Sequence, residues 1–157
     1  MNVKQFRADL YELLSGASTV PVVWANQSSQ KPPRPYMTLF IPTPSRPLHP
    51  EESRVTETQY RKTSQREADV SMNVYGHEAI EALSSLQSRI QNEQFSEKFR
   101  KKNIAVIDVG SVRDLSALLD TAWESRAQCD MRFRWTSVED EPVIPMLSVA
   151  TPEQVEE

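Results

Sequence analysis

Hydrophobic and polar positions alternate without a break from Trp123 to Trp135. The odd positions hold Trp123, Ser125, Ala127, Cys129, Met131, Phe133 and Trp135. The even positions hold Glu124, Arg126, Gln128, Asp130, Arg132 and Arg134. A period of two is that of a β-strand with one buried face and one charged face. At about 3.3 Å per residue the strand would span about 43 Å, against a radius of gyration of about 15 Å for a compact domain of this length. It therefore crosses the whole domain, bends, or projects in part.

Helical spacing governs other segments. Phe6, Leu10, Leu13 and Leu14 form one stripe, which predicts a helix over residues 2–15. Asn2 is placed to cap it, Gln5 stands at the reciprocal capping-box position, and Gly16 can close its end. Ile80, Leu83, Leu86 and Ile90, with Ala79 and Ala82 alongside, predict a second helix. Phe95 and Phe99 suggest a short further piece ending in Lys98, Arg100, Lys101 and Lys102. That basic cluster either complements the negative helix end in solvent or touches phosphates.

Strand character appears at Val22 to Ala25, Tyr36 to Ile41 and Ile104 to Ile107. It also appears at 67–75, where Ala68, Val70, Met72 and Val74 alternate with polar residues. Residues 53–62 are polar on both faces, and a hairpin with 67–75 would turn near Thr63, Ser64 and Gln65. Pro42, Pro44, Pro47 and Pro50 each fix φ and remove a donor, so residues 42–50 are expected as an extended surface loop. Such a loop is either a stiff connection or a docking segment of polyproline type. Gly110 to Leu119 reads as a connection with a helical turn at Leu115 to Leu119. After Trp135 the periodicity fades, and Pro142, Pro145 and Pro152 punctuate the rest. The expected fold is α/β of the α+β kind: a mixed, mainly antiparallel sheet of four to five strands on two main helices, with an extended loop and a C-terminal arm.

Composition narrows the function. The chain has 157 residues with 38% hydrophobic and 25% charged, enough for one core. Gly16, Gly76 and Gly110 are too far apart for a phosphate-binding glycine loop. The longest apolar stretch, Val20 to Ala25, is far short of a membrane span of roughly 20 residues. The net charge is −4, but residues 136–157 carry six carboxylates and no Lys or Arg, so residues 1–135 stand at +2. The strongly basic stripe of a nucleic-acid binder is absent from the sequence.

Parts for catalysis are few. Cys129 is the single cysteine and falls on the apolar side of the alternation, as an inert thiol would. His49 and His77 stand alone, without a second histidine nearby. Glu51-Glu52 and Glu139 to Glu141 are carboxylate clusters in polar segments with nothing to fix a metal geometry. Trp24, Trp123 and Trp135 are expected in the core or at an interface. No catalytic residue, cofactor or metal site is expected. The even side of the long strand, with Glu124, Arg126, Asp130, Arg132 and Arg134, is either a solvated face or a subunit interface. Further interface candidates are Pro44 and Pro47 in the proline segment, and Val143, Ile144, Met146 and Leu147 in the acidic tail, an apolar run with reason to dock on a partner.

Four strings, VVWANQ (22–27), RPYMTLFI (34–41), EADVSMNVYG (67–76) and VRDLSALLDTAWESRAQCDMRFRW (112–135), occur in this order along the helix and strand pattern above. Together they make the chain resemble the neck terminator or tail-completion proteins of long-tailed bacteriophages, over roughly residues 3 to 136. The resemblance implies a structural virion protein, assembled in the host cytoplasm and without catalytic residues. It implies a ring of identical copies, commonly six, that terminates the tail tube and meets the head-side connector. Its partners would be itself, the tail tube protein and the head-completion protein, with DNA only passing through the lumen and no membrane contact. Residues 1–136 would form the ring-forming domain and 137–157 an arm. The alternative is a non-enzymatic adaptor that binds a protein partner through residues 42–50 or the arm.

Overall fold

Asn2 accepts a hydrogen bond from the Gln5 N–H at 2.8 Å and starts helix α1, Val3–Ala17. In the computed structural model, which describes residues 1–119 and 122–142, the elements that follow are β1 (Val22–Trp24), β2 (Tyr36–Thr56), β3 (Gln59–Tyr75), α2 (Ala79–Ile90), α3 (Glu93–Lys101), β4 (Ile104–Val109), β5 (Arg113–Asp114), β6 (Ala117–Leu119), β7 (Ala122–Glu124) and β8 (Arg126–Pro142). The sheet order is β1-β2-β3-β8-β4, with β5 also on β8. Among the described strands only β1 and β2 pair in parallel; the other pairs are antiparallel. The architecture is α+β, as the alternation and the helical stripes predict.

The core lies between the helices and one sheet face. Val74, Met72, Val70 and Ala68 of β3 stand opposite Ala127, Cys129, Met131 and Phe133 of β8, and all eight are buried. Phe6, Leu10, Leu13 and Leu14 of α1, Leu83, Leu86 and Ile90 of α2, and Phe99 of α3 cover them. Phe6 stacks on Trp135 with ring centroids 5.1 Å apart, and Phe99 on Phe133 at 5.8 Å. The opposite sheet face carries Glu67, Asp69, Ser71 and Asn73 against Arg134, Arg132, Asp130 and Gln128. Three details differ from expectation. Ala79 rather than Ile80 is buried, since Ile80 is turned outward; α1 runs through Gly16 to Ala17, with Ser18 as its C-cap; and Gln5 donates to Asp9 Oδ1 at 3.0 Å rather than closing a capping box.

The proline segment is not a loop. Residues 42–50 belong to β2, whose pairing with β3 shifts register between Phe40 and Thr43, Thr43 and Arg46, and Pro47 and Pro50. The reason is position: β1 covers β2 only at Met37 to Leu39, so beyond that β2 is an edge strand, where missing donors and bulges are tolerated. The hairpin turns at residues 57–58, not at Thr63 to Gln65, because both strands continue as ladders through the polar stretch. Leu115 to Leu119 is not helical; its N-terminal side is pinned to β8 by Leu115 N–H donating to the Arg126 carbonyl at 2.9 Å. The long alternation is also interrupted. Ser125 lies outside both β7 and β8, its carbonyl accepts from Gly76 N–H at 2.9 Å, and Trp123 belongs to the separate β6–β7 pair, 67% exposed.

At its other end β8 runs on past Trp135 to Pro142, which pairs with Gln59. The row Pro50–Ser64–Ser137 is the last to contain buried residues. Beyond it β2, β3 and β8 continue as a three-stranded tongue, exposed on both faces, about 17 Å long from the five residues after Ser137. Six residues assigned to the arm from sequence thus lie in the sheet.

Candidate functional site

Cross-strand geometry organises the charged face. Residues directly opposite on antiparallel strands share a face and touch. Asp69 stands opposite Arg132 and Glu67 opposite Arg134. Arg132 Nε meets Asp69 Oδ1 at 2.8 Å, and Arg134 Nη2 meets Glu67 Oε1 at 2.7 Å. From β2, Arg46 reaches both acids, at 2.6 Å to Asp69 and 3.5 Å to Glu67. The hydrogen bond from Arg132 holds the Asp69 carboxyl below the ordinary range, and that from Arg134 does the same for Glu67. Three arginines and two carboxylates thus form one lattice across three strands.

The other sequence-predicted residues of β8 join smaller groups. Arg126 donates to Asn73 Oδ1 at 3.0 Å, and its guanidinium lies 5.0 Å from the Tyr75 ring centroid. Asp130 pairs with Arg113 at 2.8 Å, and Glu124, on β7, pairs with Arg34. Pro44 is half-buried and accepts from Trp135 Nε1 at 3.2 Å; Pro47 is exposed beside it on the edge strand. Val143, Ile144, Met146 and Leu147 lie outside the described residues. Arg46, Glu67 and Asp69 are members of the lattice that sequence reasoning missed. The signal was present: two acids spaced by two on one alternating strand match two arginines spaced by two on another.

The face offers little chemistry. A shallow hollow beside the lattice is lined by Pro42, Asp69, Asp108, Asp130 and Arg132. Among the described residues no group of three or more His, Cys, Asp or Glu side chains is placed to hold a metal ion. Cys129 is fully buried, and burial pushes its thiol up to about 12, so it stays protonated at neutral pH. His49 is exposed, and His77, 92% exposed, lies 3.7 Å from Glu78. No described helix is long and apolar enough to cross a membrane.

The tongue is the other feature of note. It carries Glu51, Glu52, Glu57, Glu139, Asp140 and Glu141 against Arg54, Arg61 and Lys62, a net charge of −3. Among the described residues only Arg61 and Asp140 pair within it, at 3.0 Å. Val55, Tyr60 and Val138 expose 40–45% of their surface there.

Residues 4–156 match a family model described as phage neck terminator protein. No curated protein matches the chain.

Proposed function

The chain belongs to the phage neck terminator protein family, and from that premise we propose that it assembles into a closed ring of its own copies, commonly six, that ends the tail tube and joins it to the head-side connector. Family membership makes it a structural component of the virion neck. The finer role, with the tail tube protein below, the head-completion protein above and DNA passing through the lumen, is the proposal. Assembly would take place in the host cytoplasm, before the tail meets the head.

The observation that supports a ring is the tongue. Among the described residues no layer covers either face of the tongue, and such a sheet is marginal by itself, since strands gain stability by burying a face. A neighbouring copy would supply the missing layer. The ion-pair lattice pairs both of its acids within the chain and leaves one positive charge over, so it serves to fix strand register. The adaptor alternative loses its proline-loop basis, because residues 42–50 are held in β2.

Light scattering with negative-stain imaging tests the ring. Closed rings are expected; a monomer at all accessible concentrations overturns it. In infected cells lacking the protein, full heads and unjoined tails should accumulate separately. Normal joining in its absence would remove the neck role.

A further inference from the structure

The acidic tongue has a counterpart elsewhere on the same chain. Helix α3 exposes Lys98, Arg100 and Lys101, and none of the three forms an ion pair with a described residue. Ser96, one turn before Arg100 on the same stripe, lines a mostly polar groove between α3 and β4 together with Gln91, Val106, Ile107, Asp108 and Val109. β4 is the last strand of the sheet, with its outer edge unpaired by any described strand, and Ile107 is 42% exposed on it. One surface therefore sets the unpaired cations of α3 beside a polar groove and the exposed Ile107, and the other is acidic around exposed Val55, Tyr60 and Val138. The unpaired cations of α3 and the net charge of the tongue are opposite in sign. Self-association of two acidic tongues would set like charges opposite one another, which is unfavourable. The two patches are different surfaces of one chain, so a contact between them is head-to-tail, the kind that closes into a ring when the rotation allows.

We propose that the tongue of one copy docks on the α3–β4 groove of the next, with Glu139 and Glu141 facing Arg100 and Lys101. This rests on the ring reading above and names its contact.

Paired charge reversal tests it. Glu139→Lys with Glu141→Lys makes the tongue net positive, and Arg100→Glu with Lys101→Glu makes α3 net negative. All four residues are exposed, so melting temperatures should stay near that of the parent protein. Each double variant alone should self-associate at least about tenfold more weakly. An equimolar mixture should recover assembly, because each reversed surface then meets its opposite on the other variant. Should either variant fold poorly, Glu57→Lys against Lys98→Glu is the second pair. If the parent assembles and the α3 variant assembles as well, or the mixture stays dissociated, the contact is wrong while the ring reading stands. If the variants and mixture behave as expected but the parent stops at a dimer, the contact stands and the ring fails. A parent protein that never self-associates overturns both.

Discussion

Trp135 donates its indole N–H to the carbonyl of Pro44 at 3.2 Å while its ring stacks on Phe6 at 5.1 Å. One side chain thus joins helix α1, the interior strand β8 and the proline-bearing edge of β2. Trp135→Ala should cost about 3–5 kcal/mol, as large aromatic truncations in a core do. Trp135→Phe keeps a ring against Phe6 and loses the donor, so about 1 kcal/mol for the bond plus a small packing loss is expected. Urea unfolding of the two variants checks the order.

The register of β8 predicts opposite outcomes three residues apart. Met131 is 1% exposed in the core, whereas Gln128 lies on the polar face and donates to Ser71 Oγ at 2.9 Å. Met131→Asp buries an unpaired charge and should unfold the protein at ordinary temperatures. Gln128→Asp should cost about 1 kcal/mol or less, through the lost hydrogen bond and the nearby Asp130. Thermal melts in which Gln128→Asp is the worse of the two would reject the register.

Asp69 and Glu67 set an acid limb. Their folded-state pKa values lie below those of the unfolded chain because Arg132 and Arg134 bond to the ionised forms. The stability they contribute is fully present above the ordinary carboxylate range, above about pH 5, and is lost as pH falls through the depressed folded values. The double variant Asp69→Asn, Glu67→Gln should therefore show a flatter loss of stability below about pH 5 than the parent. Denaturant midpoints measured from pH 7 down to pH 2 compare the two slopes, and equal slopes would remove the lattice as their source.

Two glycines should respond with opposite sign to alanine. At Gly110 a Cβ would lie 2.5 Å from the Asp130 carbonyl oxygen, which accepts the Gly110 N–H at 2.8 Å, so the backbones must part. Gly110→Ala should cost about 1–3 kcal/mol, the range for overpacking. Gly16 lies exposed within α1 with nothing within 4 Å of a Cβ, and Gly16→Ala should add about 0.5–1 kcal/mol through helix propensity. Calorimetric midpoints moving in the same direction would contradict this.

Residues 143–157 are proposed as an arm that strengthens assembly. A chain ending at Pro142 keeps all of β8 and should fold with an unchanged midpoint, yet form rings or join tails less well. Ending it at Val138 removes Glu139 to Pro142 from the tongue and should weaken assembly further. Sedimentation velocity of both chains, with head–tail joining in extracts, reads this out. Full assembly by the chain ending at Pro142 would leave the arm without a role.

Much of the fold is legible in the sequence because burial imposes period. The α1 stripe, the alternation of 67–75 and that of 127–135 each match a buried face. Failures come where burial does not dictate pattern. Residues 51–61 are exposed on both faces, so no alternation marks their strands, and Pro42 to Pro50 read as loop because edge position is a tertiary fact. Trp123 continues the odd-position rhythm and yet leaves the sheet, since one residue outside the ladder at Ser125 is invisible to a period. The arginines of β8 were legible as a charged face. That Glu67, Asp69 and Arg46 are their partners depends on which strands neighbour one another, which hydropathy alone leaves open.

One of the interior strands of the sheet comes last in chain order among the described strands. β8 bridges β3 and β4, and its pairing with β3 brings residues 59–75 against 126–142. Such contacts are distant along the chain, and closing long loops before any reward slows folding. While the ribosome is still upstream of Ala127, the apolar sides of β3 and α2 have no β8 to close on. The β2–β3 hairpin can form early, but the core waits until Trp135 has left the exit tunnel. Until then a nascent chain exposes Val70, Met72 and Val74 along an unsatisfied strand edge, the state in which chaperones bind and aggregation competes. Synthesis that stalls before residue 135 should therefore yield insoluble fragments, and production of the protein should depend on chaperone supply more than its final stability suggests.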